Sequence, residues 1–402
     1  MSMSADQSVS IEWIAQDQET LAHTSVLRVD GREVQSPLQA TASPHHSLTR
    51  GEFEKKLLGI KEPYSPLIIA GETLKMTTLE KVGYDTSITD DLLRRLKEKM
   101  ISNRINLVFP RIPYAYKDLN GNRVPPPVID ELRASALVGV QLDADASLVI
   151  PPVPTGIQRR KDFLKIFERT KVELQTFRSK KEMIGFIATT ENLELARDMV
   201  VDYAKNGCRF FAVDFSGASN QPSLMRTIVR AIRESLRIRK KPRETDEKYY
   251  LHVFNAATSK KSVLDVSPLS DVIIHPYGVD STSGVMWGGG SIDDPSKLRY
   301  YLTDDYGAYR KAAILDHGTS CRCPVCKEYS LRELYSGSVS TVLDRLQKHR
   351  LHSYAGEYKR ISERIGEMEP AKGYLPYLYT KSRAEGEIKR IVEDVKEIRA
   401  GL

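Results

Sequence analysis

The stretch MIGFIATTENLELARDMVVDYAKNGCRFFAVDF (183–215) decides the fold. Two apolar runs, MIGFIA (183–188) and RFFAVDF (209–215), flank a segment with helical periodicity from about Glu191 to Lys205. Continuous apolar runs are typical of strands buried on both faces, and a helix between two such strands predicts parallel pairing through a crossover. The stretch therefore predicts a β/α unit.

The same alternation extends along the chain in both directions. Further strand-like runs are PLIIA (66–70), INLVF (105–109), YLHVF (250–254) and DVIIH (271–275). No GxGxxG turn follows any of these runs, which disfavours a dinucleotide-binding doubly wound sheet. We therefore predict an α/β fold of the TIM (β/α)8 barrel type.

Three regions are predicted along the chain. Residues 1–60 show weak periodicity and are expected to be an irregular or strand-rich lead-in. Residues 61–315 carry the alternation and are assigned to the barrel. Residues 316–402 are mostly helical in pattern and contain Cys321, Cys323 and Cys326 within six residues, which is the spacing of metal ligands. We expect them to form a zinc-binding helical subdomain with a charged C-terminal helix.

The composition is that of a globular chain, with 402 residues of which 41% are hydrophobic and 28% are charged. No run of about 18 apolar residues occurs, and the start MSMSADQSVS lacks the pattern of a signal peptide. We therefore expect a cytoplasmic protein without membrane association. The 60 Lys and Arg exceed the 53 Asp and Glu, and this excess suits a polyanionic partner.

Three of the four cysteines, Cys321, Cys323 and Cys326, fall within six residues, whereas Cys208 stands alone before a strand-like run. Thiolates this close together in a reducing compartment are typical ligands of Zn2+, with one imidazole completing a tetrahedron. His349 and His352 lie three apart on one predicted helix and are both candidates. Because a Cys3His site leaves no open coordination position, the expected role of the zinc is structural. Cys208 is expected to be a core residue.

In a (β/α)8 barrel the reactive groups lie at the carboxyl ends of the strands. The polar residues predicted at these ends are Asp214, Ser216, Gly217, Asn255, His275 and Asp280, and the aromatic residue Tyr114 lies nearby. We expect Ser216, Gly217, Tyr114, Asn255 and His275 to bind substrate, with Tyr116, Phe215, Tyr277 and Trp287 as further stacking candidates.

CRCPVCKEYSLRELY (321–335) followed by HRLHSY (349–354) resembles the zinc-binding segment of the tRNA-guanine transglycosylase family, in particular its archaeal-type branch. Members of this family are zinc-bearing TIM barrels that exchange a guanine in nucleic acid for a 7-deazaguanine. By this resemblance His349 is the fourth zinc ligand and His352 the reserve. The resemblance is strongest over about residues 308–358.

The family uses an aspartate that attacks C1′ of the target nucleoside and forms a covalent intermediate. The resemblance of VDSTSG (279–284) to the family's FDSAAY implies that Asp280 is this nucleophile. An ungapped alignment instead places Ile274 there, and Asp280 is then a turn residue. The family's DSGSFQ or DSGGFQ segment corresponds to NLVFPRIPYAY (106–116), which has no carboxylate, and Asp118 is a weak substitute.

Two groups of basic residues are candidates for nucleic-acid binding. The first lies in the zinc subdomain and comprises Arg345, Lys348, Arg350, Lys359 and Arg360, with Arg364 nearby; the second is RIRKKPR (237–243). The alternative is a solvated helix face on which glutamates neutralise these charges. A family-like interpretation has the zinc subdomain hold the phosphate backbone while the barrel takes a flipped-out base.

These features together predict a transglycosylase-like enzyme that exchanges guanine for a 7-deazaguanine base in tRNA or DNA through an Asp280 intermediate. The alternative is a non-catalytic or repurposed family member that acts as a nucleic-acid-binding partner subunit, and the missing DSG carboxylate favours it. A third possibility is a different reaction on an already modified base. A homodimer or heteromer through the zinc subdomain is also expected.

Overall fold

The computed structural model describes residues 9–42, 67–117, 120–188, 192–218, 221–238, 248–257, 264–284 and 294–401. The strands in this part of the chain are β1 (Val9–Gln16), β2 (His23–Val29), β3 (Arg32–Gln35), β4 (Leu38–Ala42), β5 (Leu67–Thr73), β6 (Ile105–Arg111), β7 (Tyr116–Lys117), β8 (Arg123–Val124), β9 (Gly185–Ile187), β10 (Phe210–Asp214), β11 (Tyr250–Ala256), β12 (Val266–Pro268), β13 (Ser281–Gly284), β14 (Tyr300–Leu302) and β15 (Gly307–Tyr309).

The helices alternate with the main strands, as the sequence predicted. They are α1 (Met76–Lys81), α2 (Thr86–Lys97), α3 (Glu131–Asp143), α4 (Arg160–Thr176), α5 (Leu193–Lys205), α6 (Pro222–Ile238), α7 (Lys311–His317), α8 (Pro324–Glu328), α9 (Leu331–Leu334), α10 (Val339–Ile365), α11 (Tyr374–Tyr379) and α12 (Glu385–Ala400). Among the described residues, no helix is both long enough and apolar enough to cross a membrane.

The main sheet has seven parallel strands in the order β6-β5-β4-β13-β11-β10-β9, curled into a half-barrel. Two isolated parallel bridges, Leu107 to Leu148 and Val149 to Met183, lie beyond its two edge strands. The strands read as apolar runs because both faces are covered, one by the helices and the other by the interior. The predicted α/β class is confirmed, and parallel pairing is observed where crossovers were expected.

The first described residues form a separate antiparallel sheet, β1-β2-β3, but β4 belongs to the main sheet. Leu38 at the start of β4 pairs with Ser281 of β13. The lead-in predicted for residues 1–60 is therefore strand-rich where it is described, and the main sheet begins before residue 61. Its short strands gave too weak a periodicity to show this pairing, which is made by residues far away in the chain.

The run DVIIH (271–275) is not a strand, contrary to the sequence-based prediction. It forms a buried turn that leads into a short 3-10 helix, His275–Tyr277, and the following strand is β13, with the sequence STSG. A short apolar run shows burial but does not distinguish a strand from another buried segment. Asp280 therefore lies at the amino end of β13, whereas the sequence predicted it near the carboxyl end of a strand.

The C-terminal region divides between two hydrophobic cores. A small core begins at Leu298 and includes Tyr300, Cys323 and Leu346. The second half of α10, together with α11 and α12, packs into the main core. The subdomain predicted for 316–402 therefore begins nearer to residue 298, and its final helices pack against the main sheet and its helices.

Candidate functional site

The predicted metal ligands lie together. One ligand atom each from Cys321, Cys323, Cys326 and His349 lies within 4.8 Å of the others. The loop after α7 supplies the first two cysteines, α8 supplies Cys326, and α10 supplies His349. His352 is outside this group, and burial lowers its pKa. These four residues can hold a metal ion, and His349 is the histidine that the structure places with the sulfurs.

The distances at the cluster fit a tetrahedral ion. His349 Nδ1 lies 3.4 Å from the Cys323 sulfur and 3.2 Å from the Cys326 sulfur. Bond lengths of about 2.3 Å to sulfur and about 2.0 Å to nitrogen at a tetrahedral zinc place such atoms about 3.5 Å apart. The donor set and its spacing therefore suit a soft divalent cation.

Neighbouring groups fix the orientation of the ligands. His349 Nε2 donates to the carbonyl oxygen of Tyr301 at 2.8 Å, which leaves Nδ1 free to face the sulfurs as a lone-pair donor. The ring of Tyr300 stacks on the imidazole at 4.1 Å, and its hydroxyl accepts a hydrogen bond from the Cys321 amide at 2.8 Å. Because all four positions around the ion would be filled by protein, the site has a structural character.

A second polar group lies at the carboxyl ends of the main-sheet strands. Asp214 ends β10, and its Oδ1 accepts hydrogen bonds from Asn255 Nδ2 at 2.7 Å and the Ser216 amide at 2.8 Å. Its Oδ2 accepts from Arg111 Nε at 3.2 Å, and Arg111 Nη2 donates to the Ser216 hydroxyl at 3.0 Å. Asp214 is fully buried and Arg111 is 6% exposed. The four residues form a buried charged cluster at the end of the sheet where barrel chemistry is expected.

The backbone around this cluster adopts conformations that are uncommon for side-chain-bearing residues. Ser216 and Asn255 have positive φ values of 51° and 57°, and Gly217 has 84°. Such conformations cost free energy and are often found at functional sites. Tyr114 follows β6 at the same end of the sheet, is 60% exposed, and packs against Gly156. Ser216, Gly217, Asn255 and Tyr114 therefore lie at the carboxyl end of the main sheet, which is the end predicted from the sequence.

Aromatic rings form the floor beneath the cluster. Phe109 of β6 stacks on Phe254 of β11 at 4.6 Å, and Phe186 contacts both rings. These strands are not neighbours in the sheet, so the rings meet in the interior of the curled sheet. Asp214 is paired in register with Phe254, which places its carboxylate on the same interior face.

Two buried polar side chains next to this floor have an atom without a hydrogen-bond partner among the described residues. His252 is buried on β11, and its Nδ1 lies 2.7 Å from the Ser281 hydroxyl, while its Nε2 has no partner. The hydroxyl of Ser283, on the neighbouring strand β13, is also without one. Both atoms can therefore accept or donate a hydrogen bond to a water molecule or a polar ligand group in the interior.

Asp280 does not lie at this end of the sheet. It precedes β13, where its fully buried carboxylate accepts hydrogen bonds from the hydroxyls of Ser25 at 2.5 Å and Ser36 at 2.9 Å and from the Leu251 amide at 2.8 Å. His23 Nε2 lies 3.0 Å from Oδ1. Asp280 therefore joins the N-terminal sheet to the amino ends of β4 and β13, and the expected position of a nucleophile at the carboxyl end is wrong.

Replacing Asp280 by alanine is expected to destabilise the fold by about 3–5 kcal/mol, because the hydroxyls of Ser25 and Ser36 and the Leu251 amide would lose a buried acceptor. Urea unfolding followed by far-UV circular dichroism measures the change. Asp143→Ala, at an exposed position, is the matched control and should change stability by less than about 0.5 kcal/mol. Equal stabilities for the two variants would contradict the structural role of Asp280.

His275 is also away from the predicted substrate site. It lies in the 3-10 helix before β13, is buried, and its Nδ1 donates to the Val279 carbonyl oxygen at 2.6 Å. Burial lowers its pKa to about 4 and that of His252 to about 3. Both imidazoles are therefore neutral at physiological pH, and His275 is part of the packing at the amino end.

Stability is expected to fall as the pH decreases from about 6.5 towards 4. In this interval His275 and His252 take up protons in the unfolded chain but stay neutral in the folded protein. Each histidine therefore lowers the free energy of unfolding by about 1.4 kcal/mol per pH unit. Urea unfolding at several pH values measures the slope. His275→Asn should reduce it by about 1.4 kcal/mol per unit, and an unchanged slope would show that His275 does not contribute.

Most of the basic residues predicted to bind nucleic acid have partners within the protein. Arg345 donates to the carbonyl oxygens of Glu333 and Ser336, Arg350 pairs with Asp271 at 3.1 Å, and Arg360 pairs with Glu357 at 2.7 Å. Lys348 pairs with Asp344 on the exposed side of α10. Lys359 is exposed and has no ion pair among the described residues. The arginines thus bind groups of the protein itself.

Several sequence-based candidates fall outside the described residues. They are Asp118, Trp287 and residues 239–243 of RIRKKPR. Of the other stacking candidates, Phe215 and Tyr277 are fully buried, and Tyr116 is partly buried. Cys208 is buried as expected.

Sequence reasoning missed three residues of the interior, Arg111, His252 and Ser283. Inward-facing positions alternate with a period of two along a strand, so His252 and Phe254 form one face of YLHVF. An arginine directly after the apolar run INLVFP was the signal for Arg111. No signal in the sequence paired Arg111 with Asp214, since they lie on strands that are far apart in the chain.

No protein-family model matches this sequence, and no curated protein matches it significantly. Function is therefore inferred from the geometry of the metal-binding cluster and of the buried charged cluster.

Proposed function

We propose that the chain is a (β/α)8 barrel with a zinc-binding subdomain that exchanges a guanine in nucleic acid for a 7-deazaguanine-type base. Eight strand positions support the barrel, because the bridges at Leu148 and Val149 supply a short eighth segment between β6 and β9. Hydrogen bonds from the Ser147 amide to Asn106 and from the Ile184 amide to Val149 lie on its two sides.

One observation carries the proposal. The Cys3His cluster includes His349 of α10, and α10 packs on the same parallel sheet whose carboxyl end presents the fully buried Asp214. The resemblance to the transglycosylases implies this arrangement, in which a Cys3His zinc site adjoins a barrel that carries a carboxylate at the carboxyl end of its strands. Four ligands within 4.8 Å suit Zn2+, which would stabilise the fold and take no part in the reaction.

Asp214 is proposed as the nucleophile in place of Asp280. Its Oδ1 is held by two donors, whereas Oδ2 accepts from Arg111 and, at 3.4 Å, from the Ser216 hydroxyl, and it can attack when these two groups move aside. The C1′ to N9 bond of the target guanosine breaks as the Oδ2 to C1′ bond forms, and the departing guanine N9 takes a proton from water. The incoming base then loses its N9 proton and attacks C1′, which releases Asp214 as a carboxylate.

The interior next to Asp214 suits a planar base. The Phe109 and Phe254 rings supply aromatic faces, and the unpartnered atoms of His252 and Ser283 supply polar groups for the edge of a heterocycle. His252 is neutral because burial lowers its pKa to about 3, so it offers a hydrogen bond without a charge. We propose that these residues bind the base in place of the DSG segment of the family.

Nucleic acid is proposed to lie against the metal-binding subdomain. The exposed cations nearest in sequence to the metal ligands are Arg322, Lys327 and Arg332, none of which forms an ion pair with a described residue. Together with Lys359 they can contact phosphates without first breaking an internal bond. The exchange assay with tRNA and with DNA identifies which of the two polymers is the substrate. Formation of a homodimer or heteromer through this subdomain stays a prediction.

The test is incubation of the zinc-loaded protein with tRNA, and separately with DNA, in the presence of radiolabelled guanine. Incorporation of label into one of the two polymers, together with a denaturant-resistant protein-nucleic acid adduct, is the expected result. Absence of both, with nucleic acid still bound, would overturn the exchange reaction and favour a binding subunit. The full pairing of Asp214 in the structure is the observation that favours this second function.

A further inference from the structure

Arg350 is placed between the metal-binding cluster and the barrel. It directly follows the ligand His349 on α10, and its Nη2 lies 3.1 Å from Asp271 Oδ2. The rings of Tyr301 and Tyr354 flank the guanidinium at 5.3 and 5.1 Å. The arginine is therefore held by one carboxylate and two aromatic faces, which fixes its position.

The partner of Arg350 is itself fixed to the sheet. Asp271 is fully buried, and its Oδ1 accepts a hydrogen bond from the Tyr354 hydroxyl at 3.0 Å. Gln39 Nε2, on β4, lies 3.4 Å from Oδ2. One turn further along α10, the Tyr358 hydroxyl lies 3.2 Å from Thr282 Oγ1 on β13. One side of α10 thus binds the outer face of β4 and β13 through polar contacts.

The guanidinium also packs directly on the carboxyl end of β13. A Cβ added to Gly284 would lie 3.3 Å from Arg350 Nη2, so the absence of a side chain at Gly284 permits this approach. Gly284 is the last residue of β13, and the unpartnered Ser283 hydroxyl precedes it in the interior. The last two residues of β13 therefore contact Arg350 on the outer face of the sheet, through Gly284, and the interior, through Ser283.

We propose that Arg350 is a positioning residue that links the metal-binding cluster to the carboxyl end of β13. Metal binding fixes His349, the helix carries Arg350 with it, and Arg350 with Asp271 holds the end of β13 beside the interior polar atoms. Loss of the metal then loosens a strand end of the candidate site without unfolding the main sheet. The link goes beyond the proposed exchange reaction and does not depend on it.

The experiment is hydrogen–deuterium exchange of peptides that cover residues 281–284. We compare the full-length wild type with Arg350→Ala, Arg350→Lys and, as the matched control on the exposed side of the same helix, Lys348→Ala. Metal content is measured for each protein, and the visible spectrum after substitution with Co2+ verifies that the four ligands are intact. None of these readouts requires nucleic acid or exchange activity.

Chelation of the wild type is expected to raise amide exchange at 281–284 by about 10-fold, equivalent to 1.4 kcal/mol of local protection. Arg350→Ala should show this rise with the metal still bound, Lys348→Ala should not, and Arg350→Lys should be intermediate. Wild-type protection in metal-loaded Arg350→Ala would overturn the proposal, as would an unchanged β13 after chelation.

Asp271→Asn covers the case in which Arg350→Ala fails to fold or to bind metal. This variant breaks the same ion pair from the barrel side and leaves every residue of α10 unchanged. It should raise exchange at 281–284 with full metal content and an unchanged Co2+ spectrum. Unchanged protection in Asp271→Asn would show that the ion pair does not hold the strand end.

Discussion

Asp214→Asn is expected to lower the rate of guanine incorporation by about 10⁴-fold or more, which is the scale of removing a nucleophile. The amide keeps the size of the side chain and its hydrogen bond with Asn255 or Ser216, but it cannot form the covalent bond to C1′. Incorporation of radiolabelled guanine and the denaturant-resistant adduct are measured side by side. Both should disappear, whereas binding of the nucleic acid should remain.

Two comparisons make this result specific to Asp214. Asp143→Asn changes an exposed carboxylate at the end of α3 and should leave the rate unchanged. Arg111→Ala removes the guanidinium that holds Oδ2, and it tests whether the ion pair supports or blocks the attack. Wild-type activity in Asp214→Asn, with full retention of the adduct, would exclude Asp214 as the nucleophile.

His349→Ala is expected to abolish stoichiometric metal binding and to unfold the small core around Leu298, Tyr300 and Leu346. Structural zinc supplies on the order of 10 kcal/mol of binding free energy to small domains, which that core cannot replace. The imidazole also stacks on the Tyr300 ring and bonds to the Tyr301 carbonyl oxygen, and the alanine variant loses both of these contacts. Metal analysis and near-UV circular dichroism measure the two effects.

His352→Ala is the matched control, since it removes an imidazole one turn away that lies outside the ligand group. It should retain one equivalent of metal and a native near-UV spectrum. Full metal content in His349→Ala would show that a different residue completes the site. Loss of metal in His352→Ala alone would assign the fourth position to that residue.

The group of four candidate metal ligands was predictable because ligand spacing is a local property. Three cysteines within six residues restrict the possible geometry, and a helix presents the histidine at a fixed distance. The strands β5, β6, β10 and β11 were predictable for a related reason, since burial on both faces leaves a continuous apolar run.

The position of Asp280 was not predictable, because it depends on where β13 starts. DVIIH is more apolar than STSG, yet STSG is the strand, since its residues pair with β4 and β11. The small polar residues of STSG bond to groups in the interior and on α10, such as His252 and Tyr358. Strand pairing and tertiary hydrogen bonds determine which of the two segments forms the strand, and local hydropathy does not reveal either of them.

The roles of the arginines also depend on tertiary structure. Arg350 and Arg360 were predicted to bind nucleic acid, and Arg111 was missed, but each of the three pairs with a carboxylate that is fully buried in the fold. A charge is buried only with a partner, and these partners lie on other elements. Counting basic residues along α10 therefore overestimates the charge available to a polyanion.

The pairing of β4 with β13 has a consequence for synthesis on the ribosome. Leu38 leaves the ribosome early, but its partner Ser281 is made only after most of the chain has been translated. Until then β4 has one edge without its neighbour, and the Ser25 and Ser36 hydroxyls await the Asp280 carboxylate. The nascent N-terminal segment must therefore stay unpaired, or be shielded by a chaperone, for most of translation.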